Sequence, residues 1–261
     1  VTPALEIDEA ELLLAAAARA QTEDRIEYQH RLIALNPPPI ETLARRASDP
    51  RASSLERQIA AWALGELDEP EACHVLDVLW LDAIDHPSET QMARAIGLAR
   101  CGTLYPLRTL LNTGSLVPRL KAAMTLALLE DTESAIAIDV LGDDPMAGPY
   151  ADFFHIALGL LGDASAAAEA QHLADDPLFS DYVALGLARS GLPVAPEDLG
   201  SAATGNPEPV VREMALSHYA LLAGVDALPL LEAAQEDPAP RVRRMAATMH
   251  AVILGTIQVN E

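Results

Sequence analysis

The side chains of this 261-residue chain that could do chemistry are seven histidines, two cysteines and a large excess of carboxylates. The histidines are followed by Arg31, Val75, Pro87, Ile156, Leu173, Tyr219 and Ala251, so none begins a His-Glu pair, and neither HxxxH nor HExxH occurs. Hydrolytic zinc on a helix needs two histidines one turn apart with a glutamate between them, and that spacing is missing. Asp143-Asp144 and Asp175-Asp176 offer oxygens, but a calcium loop needs several at ordered spacing. With Pro145 and Pro177 behind them they read as turn and capping residues. His218 and His250 lie on apolar helical stripes and His155 stands between Phe154 and Ile156. Without a carboxylate at helical spacing, each reads as a packed core histidine and not as an acid–base group. Cys73 and Cys101 have no CxxC spacing, and in apolar helices an unpaired cysteine behaves as a small hydrophobe. No Gly-rich phosphate loop and no GxSxG is present. This reading assigns no catalytic, cofactor-binding or metal-binding residue.

One stretch does point to binding. Residues 71–84 predict a helix whose Ala72, Val75, Leu76, Leu79 and Ala83 already complete a core stripe. Val78, Trp80, Leu81 and Ile84 lie beyond it, so the helix is apolar nearly all round, as expected of one buried on both sides or in contact with a partner. Trp80 and Leu81, flanked by Val78 and Ile84, are therefore candidate anchors for a bound peptide or subunit. The competing expectation is that the N-terminal segment or the His86-Pro87 loop covers them.

The elements around these residues are read from composition and period. Half of the chain is apolar, only 4% is aromatic, and Ala and Leu dominate, which predicts an all-α protein. In 207–234 a helix with Val211, Met214, Ala215, His218, Tyr219 and Leu222 on one stripe runs into an acidic turn and a second helix. Weaker copies recur. Small residues at the close-packing point of each first helix are Ala34, Gly65, Gly97, Ala127, Gly159, Gly186, Ala220 and Ala251, at gaps of 31, 32, 30, 32, 27, 34 and 31. Arg57, Arg119, Arg212 and Arg243 each stand eight residues earlier, and Asp68, Asp131, Asp163 and Asp226 follow the first helices. Repetition of Arg where Lys would also be charged predicts a ladder of forked contacts to an acid or carbonyl of the neighbouring repeat. Residues 1–21 read as an N-terminal capping helix, 22–255 as the repeats and 256–261 as a tail. Helix pairs like these bury their apolar faces only against further copies, giving an α-solenoid of about seven to eight helix pairs.

PVVREMALSHYALLAGVDALPLL and PRVRRMAATMHAVIL carry a resemblance. They look like HEAT repeats, in particular the short HEAT-like repeats of phycobilisome lyases, matched best at Val211, Arg212, Ala215 and at Val242, Arg243, Ala246. The resemblance implies a right-handed stack of antiparallel helix pairs that binds other proteins along its surface. Deoxyhypusine hydroxylases share this kind of architecture but need His-Glu dyads for iron, which this chain lacks. HEAT-like DNA glycosylases use a basic groove, at odds with a net charge of −22. The charge disfavours nucleic acid and anionic membranes and favours a basic or neutral protein or peptide. No apolar run long enough for a membrane span is seen, and the acidic residues before 12–18 have the wrong sign for a signal peptide. A soluble, cytoplasmic scaffold without cofactor, from a high-GC bacterial genome, is the expectation; the alternative is an auxiliary subunit of a phycobilin-lyase-like modifying enzyme.

Overall fold

The computed structural model describes residues 8–81, 89–144 and 146–260, with the backbone alone for 256–260. Among these residues all regular structure is helical, and the helices gather into two compact units divided between Pro106 and Leu107. The first unit holds α1 (Glu9–Arg19), α2 (Thr22–Ile33), α3 (Ile40–Ser48), α4 (Ser54–Leu67), α5 (Pro70–Leu81) and α6 (Glu89–Arg100). Asp8 caps α1 by accepting the Ala10 N–H. Ser53 and Glu56 form a reciprocal capping box on α4, which satisfies two of the donors every helix start leaves open. Accepting the Ser53 backbone N–H, helped by the Ser53 hydroxyl and by Arg46 and Arg19 nearby, holds the Glu56 carboxyl below its ordinary range. The second helix ends at Ile33, ahead of the Pro37–Pro39 run, and Asn36-Pro37 is cis.

In this unit α4 lies against α6 at Gly65 and Gly97. A Cβ on Gly65 would stand 2.5 Å from the Gly97 Cα, so only glycine admits this approach. Two polar contacts sit inside the same layer. Glu66, fully buried, pairs with the buried Arg100. Arg94 reaches two helix C-termini at once, donating to the carbonyls of Leu79 on α5 and Ala47 on α3, each at 2.9 Å, where a cation is favoured by the helix dipole.

The second unit opens in α7 (Tyr105–Thr113), which begins at the junction, and continues through α8 (Leu116–Leu128), α9 (Ala135–Gly142), α10 (Ala151–Leu160), α11 (Ala164–Ala170), α12 (Ser180–Arg189), α13 (Pro196–Gly205), α14 (Pro209–Ala223), α15 (Leu228–Ala234) and α16 (Pro240–Asn260). The eight small residues of the sequence register fall on or directly after the even-numbered helices, and within each unit those helices pack on one another in turn. The last helix continues through Asn260, so 256–260 of the residues read as a tail are helical.

The arginine ladder exists, with partners that differ from the expectation. Arg243 donates to the carbonyls of Asp237 and Pro238, and Arg212 to those of Asn206 and Pro207. Arg57 donates to Ala52 and Arg119 to Leu111. Each guanidinium thus ties the turn or helix end that precedes its own helix. Arg212 adds a forked pair to Asp237 in the following turn, both bonds 2.8 Å. Two of the four predicted acids have other partners. Asp131 takes Arg108 and the Ser134 hydroxyl, and Asp163 caps α11.

By length and composition alone, 209–234 is apolar enough to cross a membrane. It folds as α14, a 3-10 turn and α15, with Arg212 buried near its start.

Candidate interaction surface

Helix α5 starts at Pro70, where the missing N–H removes nothing, since the first helical N–H groups have no helical acceptor. Its Ala72, Leu76 and Leu79 are buried, and the helix packs on α3, α4 and α6. The other side faces solvent: Val78 is 46% and Leu81 67% exposed, one turn apart, with Asp77 and His74 beside them. Trp80 is half-buried. Ile84, like the His86-Pro87 loop, lies outside the described residues. Of the four predicted anchors the structure therefore brings Val78, Trp80 and Leu81 onto one helix end, with the two aliphatic ones open.

This helix is held near both ends. Arg94 grips its last turn through the Leu79 carbonyl. Near its first turn a disulfide joins Cys73 to Cys101, just beyond α6, with Cα atoms 5.7 Å apart. The cysteines are not two separate small hydrophobes. At a sequence separation of 28, no short spacing marks the pair; packing of α5 along α6 brings them together. A surface mounted on a helix fixed in this way is pre-organised, which lowers the ordering cost of binding.

The histidines also depart from the core reading. His155 is half-exposed, and its Nε2 is 3.0 Å from Glu169 on α11. His172 stands 3.4 Å from Asp152 on α10, and its ring also meets the Glu169 carbonyl at 2.8 Å. His250 is 3.7 Å from Glu232. All these carboxylates come from neighbouring helices, which spacing along one helix does not reveal. His218 fits its expectation better: burial, then the Arg189 charge, lowers its pKa. Among the described residues no three His, Cys, Asp or Glu side chains converge where one cation could sit. Asp144 and Asp176 accept the N–H groups of Met146 and Leu178, as turn residues do. A cavity of about 90 Å³ between α12 and α13 is lined by Asp181, Asp198, Ser180 and Ser201 among others, room for a few waters. Burial beside Glu208 and Asp181 pushes the neighbouring Tyr182 hydroxyl up to about 12.

Reading of the sequence missed α9. Its run Ala-Ile-Ala-Ile-Asp-Val-Leu-Gly suggests burial all round, yet only Ile138 and Leu141 are buried, and Ile136 and Val140 are 78% and 63% exposed. Ile136 and Val140 sit four residues apart, which is the one signal that could have placed them on a common open face.

No protein-family model matches the chain, and no curated protein matches it. Among solved structures the chain is similar to human deoxyhypusine hydroxylase, determined in complex with glycerol, at 18% identity over 93% of this chain and 96% of that one, with a TM-score of 0.36. A likeness that low carries no statement about activity, and none of these comparisons points to the phycobilisome-lyase type of repeat.

Proposed function

We propose that this chain is a non-enzymatic protein-interaction scaffold, an α-solenoid of about seven to eight HEAT-like helix pairs that presents apolar anchors on an acidic surface. The repeat register of small residues and the arginine ladder support the solenoid. The observation that carries the function is α5: two aliphatic side chains left open beside Trp80, on a helix pinned by a disulfide and by Arg94. Aromatic and aliphatic anchors on a rigid helix suit a peptide or subunit, because hot-spot residues act by filling dry pockets on the partner. The charge of −22 favours a basic or neutral partner through complementarity and faster encounter. The disulfide favours an oxidising compartment over the cytoplasm that the sequence alone suggests, since cytosolic thiols are kept reduced.

The test is comparative capture. The full oxidised chain and its Val78→Ser/Leu81→Ser variant are immobilised and exposed to extract of the source cells, with circular dichroism confirming equal helix content. A protein retained by the wild type and lost from the variant is expected. Identical retained sets for the two would overturn the reading.

A further inference from the structure

Charge and exposure combine most sharply on a second surface, in the unit from Leu107 onward. Between Ala122 and Pro240 stand twenty acidic residues and only two basic ones, Arg189 and Arg212. Both arginines are turned inward: the Arg189 side chain is 11% exposed and 3.5 Å from Glu130, and that of Arg212 is 3% exposed and paired with Asp237. Helices α9, α11, α13 and α15 carry no Lys or Arg at all. Two arginines on α7 and α8 are engaged as well. Arg108 bonds Asp131 and faces Glu133, and Arg119 is 3.9 Å from Asp144. The exposed Asp139 on α9 and Asp143 at its C-cap flank Ile136 and Val140, which at 78% and 63% are among the most exposed large apolar side chains of the described residues.

We infer that the open face of α9 is a docking site for a basic amphipathic segment of another protein, with Ile136 and Val140 filling its apolar stripe and Asp139 and Asp143 meeting its Lys or Arg side chains. The inference rests on the scaffold reading but concerns a different surface from α5. Charge selects the occupant. A second copy of this chain brings another −22 and is repelled, as are nucleic acid and anionic lipid, whereas a cationic helix with apolar positions three and four residues apart matches both components. Exposed aliphatics among carboxylates, on a helix that itself carries no Lys or Arg, distinguish this face from a surface whose acid serves solubility alone, where charges of both signs are usually interspersed.

The test uses the full oxidised chain and a fluorescent synthetic peptide that forms a helix with leucines on one side and arginines on the other. Saturable binding at low ionic strength is expected, weakened when salt screens the charges. Ile136→Ser/Val140→Ser and Asp139→Asn/Asp143→Asn should each weaken it by about tenfold or more, an effect of the size truncated hot spots give, and replacing the peptide leucines by serine should do the same. Val78→Ser/Leu81→Ser should leave it unchanged. Absence of binding, equal binding by the α9 variants, or equal binding of the serine peptide would each overturn the assignment. Binding lost only with Val78→Ser/Leu81→Ser would overturn α9 as the site while leaving the scaffold reading intact, and the capture experiment tests that reading separately.

Discussion

Reduction of the Cys73–Cys101 bond is the perturbation whose size follows most directly from the structure. The bond closes a chain segment with a sequence separation of 28. By the chain-entropy relation, a loop of that length stabilises the folded form by about 3.5 kcal/mol at 25 °C, because the open chain regains that freedom when unfolded. Both cysteines are only half-buried as residues, and a dithiol reductant is expected to act on them without prior unfolding. The chain has only two tryptophans, Trp62 on α4 and Trp80 on α5. Their fluorescence therefore reports the unit containing the bond, while circular dichroism reports both units. In urea the fluorescence midpoint should fall by roughly 1–3 M on reduction, given ordinary denaturant slopes for small domains. The part of the dichroism transition belonging to the other unit should stay in place. Cys73→Ala/Cys101→Ala should reproduce the shift without reductant. Coincident fluorescence transitions with and without reductant, or alkylation of both thiols in the untreated folded chain, would refute the reasoning.

Three other outcomes follow from contacts inside the units. Glu66→Ala removes the buried carboxylate that pairs with the buried Arg100 and should lower stability in urea by about 3–5 kcal/mol, whereas Glu66→Leu combined with Arg100→Met should recover most of it, since an apolar pair avoids desolvating two charges. Gly65→Ala puts a methyl 2.5 Å from the Gly97 Cα and should cost about 1–3 kcal/mol by forcing α4 and α6 apart; calorimetry reads it as a lower melting temperature. Lowering the pH from about 7 to 5 should weaken the second unit partly through His218. Its folded pKa is depressed by burial and by Arg189, so its contribution is full above the unfolded value near 6.5 and is lost as the pH falls below that. His218→Gln should make the fall of stability with pH shallower, and an unchanged slope would show that the group is not involved.

How much of this was readable in the sequence depends on whether the cause lies along one helix or between helices. The all-helical class and the register of small residues follow from local period, and the even-numbered helices bear them out at Gly65 and Gly97. The arginines were readable as a pattern, because the same geometric demand recurs at each pair. Their acceptors were not, because backbone carbonyls leave no mark in a sequence. The capping role of Asp8 was visible beside its own helix. The disulfide, His155 with Glu169 and His172 with Asp152 depend on which helices become neighbours across tens of residues. Exposure of Ile136 and Val140 was hidden for the opposite reason: an apolar segment reads as core whether or not anything covers one of its sides. The predicted anchors are only partly reached, since Val78, Trp80 and Leu81 are described and Ile84 is not.

Amide hydrogen exchange on the full oxidised chain, free and with its captured partner, tests the central claim most directly. Slower exchange over the last two turns of α5, around Asp77 to Leu81, is the predicted result, together with loss of that protection in Val78→Ser/Leu81→Ser. Unchanged exchange at α5 with the partner bound would contradict the account and move the functional surface elsewhere.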